Sequence, residues 1–316
     1  MSRNAVTVLG INGHAGHYIA AAFAAAGWEV TGFGRSNRYP LPGVRFQQGD
    51  AERAEDIAAA VAGAAVVVNA LNLPYHQWDK GRKEAQTARV LEALRGSGKT
   101  LLFPGNIYNY AAGERVLTPE TPQHPETPRG EIRKRVEAQY EAAARAGDLQ
   151  VIILRAGDFF SAQPGDWFDL AMLREAEKGK FAVLGERGVA HAWAYLPDLA
   201  RAFEKLAWHR HELGAVERFH FAGHFVTPEQ LAEAVVAAAP VPLKVSRFPR
   251  LLFSLLGLFD PTMREVAKMG YLWEHPMELR DDRLAAILGS DFGTPFEAAV
   301  AATIAPHFPP ARAQAA

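Results

Sequence analysis

The chain has 316 residues, and its 34 basic and 35 acidic side chains leave a formal net charge of −1. A charge this balanced gives no overall field for nucleic acid or an anionic membrane, so we expect neither as a partner. The absence of cysteine excludes disulfides, thiolate nucleophiles and cysteine-bound metals, and it fits a cytoplasmic location. The histidines lack the spacing of metal ligands, so we expect no metal site. Neither a signal peptide nor a bilayer-spanning apolar run is recognisable.

Short apolar strands alternate with helices in the first half of the chain. Strands are predicted at residues 5–9, 28–33, 64–70, 100–103 and 150–154, and helices at residues 17–26, 50–61, 84–94 and 132–146. The strand segments are continuous apolar runs, which is typical of strands buried on both faces of a parallel sheet. The alternation therefore predicts an α/β fold with a doubly wound parallel Rossmann sheet.

The pattern changes after residue 155. A loop with an amphipathic helix is predicted at residues 164–180, helices at 196–208 and 227–239, a strand at 219–221, and a proline-rich loop with a short strand at 239–249. We expect a Rossmann domain at residues 1–160, with return segments near 190–223. Residues 161–189 and 224–316 would then form a smaller, mainly helical substrate-binding lobe.

Three glycines follow the first strand and open the first helix: Gly10, Gly13 and Gly16. In such a loop one glycine permits the tight turn, the next lets the backbone approach a pyrophosphate, and the last allows close packing of helix and strand. The free amides and dipole of a helix N-terminus favour an anion there. The loop, including Asn12 and His14, is therefore predicted to bind a dinucleotide; the alternative is a glycine-rich turn with no ligand.

The end of the second strand indicates which dinucleotide is bound. NAD-specific sites usually place an acidic residue there, whereas this chain has Arg35, Ser36 and Arg38. A guanidinium suits a 2′-phosphate, so we predict NADP(H); the alternative is that these are solvated loop charges. Asp50 follows a third predicted strand, where it would contact the adenine amino group, cap the next helix, or do both.

The chain resembles the extended or atypical short-chain dehydrogenases/reductases of the NAD-dependent epimerase/dehydratase-like superfamily. The residues that carry this resemblance are the G-x-x-G-x-x-G loop at 10–16, the fourth-strand segment 68–71, the segment 154–159 that passes the nicotinamide, the V-x-D-L-A-like element at 194–200, and the strand and helix at 219–231. The resemblance implies further cofactor contacts from Asn69, Ala70, Leu71, Pro104 and Gly157.

The chain departs from this family in its catalytic motif. No tyrosine is followed four residues later by lysine, as the family's Tyr-x-x-x-Lys pair requires. The motif falls best on residues 129–137, where Arg129 replaces the tyrosine and Arg133 the lysine. The family's helper serine is also missing from the segment 103–108. An arginine stays protonated at neutral pH and cannot easily act as an acid or base.

Three residues are candidates for the missing catalytic functions. Tyr108, which the resemblance places near the mouth of the fifth strand, is a replacement proton donor. Arg133 would hydrogen-bond the nicotinamide ribose, and Lys134 would lower the pKa of a neighbour. The alternatives are that Tyr108 is a packing residue and Lys134 a solvated helix charge.

Aromatic and polar residues from several loops indicate an apolar substrate pocket at the carboxyl ends of the strands. The candidates are Asn72, Tyr75, His76, Trp78, Phe159, Trp167, His191 and Trp193. His191 and Trp193 are two residues apart, so in a strand they would face the same side. For each residue alone, ordinary core packing is an equal alternative.

These observations predict an NADP(H)-dependent oxidoreductase that acts on a small apolar or aromatic carbonyl or enone compound. Two alternatives stay open: a non-catalytic NADP(H)-binding sensor or scaffold protein, and a nucleotide-sugar epimerase or dehydratase. The expected partner is a small-molecule substrate, and a homodimer is compatible with the sequence.

Overall fold

The computed structural model describes residues 4–166, 168–248 and 258–309. The predicted substrate contact Trp167 lies outside the described residues. The strands in chain order are β1 Ala5–Leu9, β2 Glu29–Gly34, β3 Val44–Gln48, β4 Val66–Asn69, β5 Thr100–Asn106, β6 Val116–Leu117, β7 Gln150–Ala156, β8 Asp158–Phe160, β9 Lys180–Val183, β10 His191–Tyr195, β11 Val216–His220, β12 His224–Val226, β13 Lys244–Arg247 and β14 Glu278–Leu279. The described helices are α1 His14–Ala25, α2 Ala54–Val61, α3 Arg82–Leu94, α4 Pro128–Arg145, α5 Leu196–His209, α6 Pro228–Ala238, α7 Pro261–Lys268, α8 Asp282–Leu288 and α9 Phe296–Ile304.

Seven parallel strands form the main sheet, in the order β11-β7-β5-β4-β1-β2-β3. From β1 the chain adds β2 and then β3 on one side, and it then crosses to β4, which pairs with β1 on the other side. This reversal is the switch point at which doubly wound folds bind ligands, outside the carboxyl ends of the strands. The predicted fold class is confirmed.

Both faces of the sheet are covered because its strands are apolar on both sides. Val6 and Val8 of β1 pack in one core with α1 and α5, whereas Leu9 packs in a second core with α2, α3 and α4. Successive side chains of a strand point to opposite faces, so the continuous apolar runs supply both cores. Burial on this scale is the main term that stabilises the fold.

Helix α4 begins earlier than the sequence pattern predicts, at Pro128 instead of residue 132. Thr127 caps it by accepting a hydrogen bond from the Gly130 amide at 3.2 Å, and proline suits the first turn. A side chain on Gly130 would clash with the Tyr108 carbonyl. The start of α4 therefore packs directly on the backbone after β5, which fixes the position of Tyr108.

The second half of the chain adds three small sheets, namely β12-β10-β8, β13-β9 and β14-β6. Residues 164–180 do not form the single amphipathic helix that the sequence predicts. They form a π-helical segment, Phe168–Leu173, and a single 3₁₀ turn, Ala176–Lys178. The buried residues Ala171, Met172 and Leu173 are consecutive rather than spaced at the helical period, so no one face of a helix could bury them. Among the described helices, none is long and apolar enough to cross a membrane.

Candidate functional site

A cavity of about 400 Å³ opens at the carboxyl ends of β1, β4, β5 and β7, at the switch point of the sheet. Residues predicted for the site that line it are Gly13, His14, Gly16, Asn69, Ala70, Leu71, Asn72, Tyr75, Pro104, Tyr108, Arg133, Gly157 and Phe159. Residues predicted for the site that do not line it are Gly10, Asn12, Arg35, Ser36, Arg38, Asp50, His76, Trp78, Lys134, His191 and Trp193. The tertiary structure therefore brings together segments that are far apart in the chain.

The glycine loop fits a pyrophosphate. Gly10 has a φ of +85°, and a side chain on it would press against the Ala70 carbonyl, whereas a side chain on Gly16 would clash with the Gly10 carbonyl. A Cβ at Gly13 would have only the Gly10 oxygen within 4 Å, at 3.5 Å, so the backbone is open toward the cavity there. Helix α1 has no side-chain cap, which leaves the amides of its first turn available to an anion.

The loop after β2 is held open by Asn12. Its amide nitrogen donates to the Ser36 carbonyl at 2.6 Å, and its amide oxygen accepts from the Arg38 backbone at 3.0 Å. Asn12 therefore shapes the loop and does not face the cavity. The side chains of Arg35 and Arg38 are exposed, and in the part of the chain that the structure describes no carboxylate forms an ion pair with either. This end of the site is positively charged.

Two polar residues predicted to contact cofactor bind the protein itself. Asp50 accepts from the Glu52 amide at 3.0 Å in the turn before α2. The predicted cap is wrong, because α2 begins at Ala54 with Arg53 as its N-cap and no side-chain cap bond; the adenine contact of Asp50 stays a prediction. Asn69 donates to the Tyr140 hydroxyl at 2.6 Å and accepts from the Leu71 amide at 3.2 Å. Asn69 thus fixes the backbone at the end of β4, where the cavity wall begins.

Two tyrosine hydroxyls meet in the cavity. The oxygens of Tyr75 and Tyr108 are 2.7 Å apart, within hydrogen-bond distance. Burial raises the pKa of Tyr75 and raises that of Tyr108 well above its ordinary value, and the adjacent tyrosine and Asp158 add to the effect at Tyr108. Both hydroxyls therefore keep their protons at neutral pH and act as donors. The sequence indicated both residues but not that they form a pair.

Of the two predicted catalytic residues on α4, Arg133 and Lys134, only Arg133 lines the cavity. Its guanidinium lies 4.8 Å from the ring centre of Trp78 and 5.3 Å from that of Phe103, which holds it by cation–π contacts. Its Nε atom is buried and has no hydrogen-bond partner among the described residues. Trp78 itself is completely buried and donates to the Leu73 carbonyl at 2.8 Å. The prediction that Trp78 contacts substrate is therefore wrong. Its ring instead packs against the Arg133 guanidinium.

Lys134 and His76 point away from the cavity. Lys134 donates from its exposed side chain to the Gln123 carbonyl at 3.0 Å, because adjacent residues of a helix point about 100° apart and Arg133 takes the inward direction. His76 is 2.8 Å from the Thr262 hydroxyl and links its loop to α7. Neither side chain can act on a group in the cavity.

Asp158 is a site residue that the sequence reasoning missed. It lines the cavity beside Tyr75 and Tyr108, although only its neighbours Gly157 and Phe159 were selected. Its Oδ2 atom is 3.0 Å from His191 Nε2 and accepts from Trp273 Nε1 at 3.1 Å. Its position between the predicted site residues Gly157 and Phe159 is the sequence signal that could have identified it.

His191 and Trp193 lie on the same side of β10, with ring centres 5.0 Å apart. Trp193 packs in a separate hydrophobic core against Phe160 and Phe168 and does not reach the cavity. His191 reaches it only through its contact with Asp158. We therefore place neither residue in direct contact with substrate.

The segment after β8 also contributes to the cavity wall, through Gly165 and Asp166. His14 Nε2 is 2.9 Å from the Pro164 carbonyl oxygen, which ties the start of α1 to this loop. Asp166, also missed from the sequence, lines the cavity, and burial raises the pKa of its carboxyl. Within the described ranges, no group of three His, Cys, Asp or Glu side chains is placed to hold a metal ion.

Comparison with solved structures gives the same fold over nearly the whole chain. UDP-glucose 4-epimerase from Brucella ovis in complex with NAD has a TM-score of 0.76 at 17% identity, covering 96% of this chain and 98% of that one. MoeE5 in complex with UDP-glucose and NAD has a TM-score of 0.71 at 18% identity, with the same coverage. A putative epimerase from Burkholderia cenocepacia J2315 has a TM-score of 0.74 at 18% identity, covering 95% and 97%.

A family model can identify the family, whereas structures at such low identity show only a shared fold. A search of curated proteins finds no match. The model of the NAD dependent epimerase/dehydratase family matches residues 6–220, more than half of the chain and all seven strands of the main sheet except the first residue of β1. The resemblance noted in the sequence is thereby confirmed, and the chain belongs to the NAD dependent epimerase/dehydratase family.

Proposed function

We propose that this protein is an NADP(H)-dependent oxidoreductase that reduces a small carbonyl or enone compound of apolar or aromatic character. The observation that carries the proposal is the part-buried Tyr75–Tyr108 hydroxyl pair, 2.7 Å apart in the cavity. Structural neighbours were solved with NAD, and the open backbone at Gly13 fits a dinucleotide. The bound cofactor would supply the hydride, and this chain's residues would orient the reactants and supply the proton.

The choice of NADP(H) over NAD(H) rests on the loop after β2. Arg35 follows the last residue of β2 directly, and Arg38 is held nearby by the backbone contact to Asn12. Two exposed guanidinium groups without a carboxylate partner among the described residues suit a dianionic 2′-phosphate. An acidic residue, which would repel that phosphate, is missing from this position.

Proton donation is assigned to Tyr108. Its raised pKa keeps the phenolic proton in place until an oxygen in the cavity gains negative charge, as a carbonyl oxygen does on reduction. Arg133 would hydrogen-bond the nicotinamide ribose, since its stacked guanidinium lines the cavity with Nε unsatisfied. The phenyl ring of Phe159 and the side chains of Leu71 and Ala70 give the cavity an apolar wall that suits an apolar substrate.

A second candidate is a nucleotide-sugar epimerase, which the structural neighbours favour, since one holds UDP-glucose with NAD and another is a UDP-glucose 4-epimerase. That chemistry begins by removing a proton from a sugar hydroxyl, for which a tyrosine with a raised pKa is a poor base. In addition, His14 and Arg133 are the only basic side chains among the described residues that line the cavity. Two such side chains offer little positive charge for the phosphates of both a cofactor and a nucleotide diphosphate. A non-catalytic NADP(H) sensor is a third candidate, favoured by the missing Tyr-x-x-x-Lys pair.

The test is NADPH consumption by the purified protein with a panel of aromatic and aliphatic aldehydes, ketones and enones, alongside conversion of UDP-glucose with NAD. We expect turnover with a member of the carbonyl panel. Tyr108→Phe should lower kcat by about a hundredfold or more with NADPH affinity unchanged, whereas the exposed control Tyr39→Phe should behave as wild type. Epimerisation of UDP-glucose would instead establish the second candidate. Tight NADPH binding without any turnover would establish the sensor.

A further inference from the structure

The hydrogen-bond partners of His191 determine where its protons lie. Nδ1 is 3.0 Å from the Leu272 carbonyl oxygen, and a carbonyl can only accept, so Nδ1 carries a proton. Nε2 is 3.0 Å from Asp158 Oδ2, and an ionised carboxylate is also only an acceptor. Two acceptors do not form a hydrogen bond, so one more proton must lie between His191 and Asp158.

That proton belongs on His191. An imidazole is a stronger base than a carboxylate, and the Trp273 indole N–H donates to the same Asp158 oxygen at 3.1 Å, which favours the ionised carboxylate. His191 is only 6% exposed. The hydrogen-bond partners of His191 thus favour a buried imidazolium against the Asp158 carboxylate, which lines the cavity of the two tyrosines.

A second, smaller cavity lies between Asp158 and the two tyrosines. Its volume is about 10 Å³, close to the space that one water molecule needs. Tyr75, Tyr108, Asp158 and Glu265 line it, so such a water would have enough polar partners. The other charges nearby are Arg133 and the Arg129 and Lys268 side chains that pair with Glu265.

We infer that Asp158 and His191 are the proton supply of the tyrosine pair, an inference that rests on the proposed reductase function. As the carbonyl carbon gains a hydride from the reduced nicotinamide, its oxygen takes the phenolic proton of Tyr108. The Tyr75 proton moves to Tyr108 across 2.7 Å, and the His191 proton moves to Asp158 and from there to Tyr75 through a water molecule in the small cavity that both residues line. The neutral imidazole takes a new proton from solvent after the product leaves.

This arrangement replaces a function of the absent lysine. Tyr108 is buried and close to Asp158, so a persistent phenolate there would be costly. Because Tyr75 returns a proton to Tyr108 at once, the Tyr108 phenolate does not persist. Asp158 and His191 position and recharge the tyrosines and do not themselves transfer a proton to substrate.

The protonation state of His191 can be measured without any turnover, by NMR of the histidine ring nitrogens in the protein alone. The His191 signal is assigned by its loss in His191→Gln. We expect both ring nitrogens to carry a proton at neutral pH. An unprotonated Nε2 there would overturn the inference, whether or not the protein proves to be a reductase.

The kinetic test compares wild type with His191→Gln and Asp158→Asn during carbonyl reduction. We expect kcat to fall at least about tenfold, part of what a positioned acid contributes, with KM and NADPH affinity nearly unchanged. A lower kcat at an unchanged KM distinguishes a lost proton supply from a misplaced substrate. The exposed control His209→Gln should change neither quantity.

His191→Asn, whose amide can still donate to Leu272, serves if His191→Gln fails to fold. Wild-type kcat in the folded variants would refute the relay even where the reductase function stands. Absence of wild-type turnover would refute the proposed function, and the NMR result would still decide the state of the pair.

Discussion

The guanidinium of Arg133 lies 4.8 Å from the ring centre of Trp78, and this contact aims it into the cavity. Trp78 is itself fixed by complete burial and by its bond to the Leu73 carbonyl. The neighbouring Lys83 is also buried, and burial, followed by the charge of Arg133, holds its pKa well below the ordinary value. Arg133 is therefore the permanent cation of this region.

Replacing Arg133 should weaken cofactor binding or misplace the nicotinamide. We expect Arg133→Ala to reduce NADPH affinity about tenfold or more, which is the loss of one charged hydrogen bond of about 1.5–3 kcal/mol. The adjacent Lys134→Ala is a matched control, since its side chain lies on the surface and bonds to the Gln123 carbonyl. Titration of NADPH into each variant measures the difference. Equal affinities in the two variants would remove Arg133 from the site.

Arg35 should decide between the two dinucleotides. Arg35→Ala should lower NADPH affinity about ten- to hundredfold while leaving NADH affinity unchanged, because the lost contact is to the 2′-phosphate. Arg187→Ala, which removes another exposed arginine, one that pairs with Glu229, is the control. Both cofactors are titrated into wild type and variants. If wild type binds NADH as tightly as NADPH, the assignment of NADP(H) is wrong.

Two glycines of the loop should respond differently to substitution. Gly13→Val should abolish cofactor binding with a nearly unchanged far-UV circular dichroism spectrum, because its side chain would enter the open space beside the loop. Gly16→Ala should instead lower the melting temperature, because its Cβ would clash with the Gly10 carbonyl. Cofactor titration and thermal unfolding separate the two effects. Undiminished binding by Gly13→Val would show that the pyrophosphate lies elsewhere.

Stability should depend on the protonation of His220. Burial lowers its pKa from 6.5 to about 4; Nδ1 donates to the Leu117 carbonyl, and Nε2 accepts from Tyr110 and faces Arg155. The unfolded chain therefore binds this proton more readily than the folded protein. The contribution is complete above pH 6.5 and is lost as the pH falls toward 4, in total about 3 kcal/mol.

Urea unfolding of wild type and His220→Gln across this pH range measures that contribution. The free energy of unfolding of wild type should fall more steeply between pH 6.5 and 4 than that of the variant, whose remaining slope comes from carboxylates. Arg155 and Glu120 are the charged groups that act on His220, so their ionisation is common to both proteins. Parallel curves for the two proteins would exclude His220 as the source.

The sequence by itself determined the sheet and the glycine loop. Continuous apolar runs separated by helices permit few arrangements other than a doubly wound parallel sheet, and the spacing of Gly10, Gly13 and Gly16 is a local property of one turn. Local patterns of this kind can be recognised in the sequence without knowledge of the rest of the fold. The family assignment followed from the same segments.

The tertiary structure alone decided which side chains meet. Tyr75 and Tyr108 are 33 residues apart and His191 and Asp158 also 33 apart, so no spacing rule connects them. The phase of α4 sends Arg133 inward and Lys134 outward, although the sequence offered both as candidates. Burial made Trp78 a support instead of a substrate contact. Such outcomes depend on where β4 and β5 end and where β8 and β10 begin, because a site between elements is fixed by packing and not by local sequence.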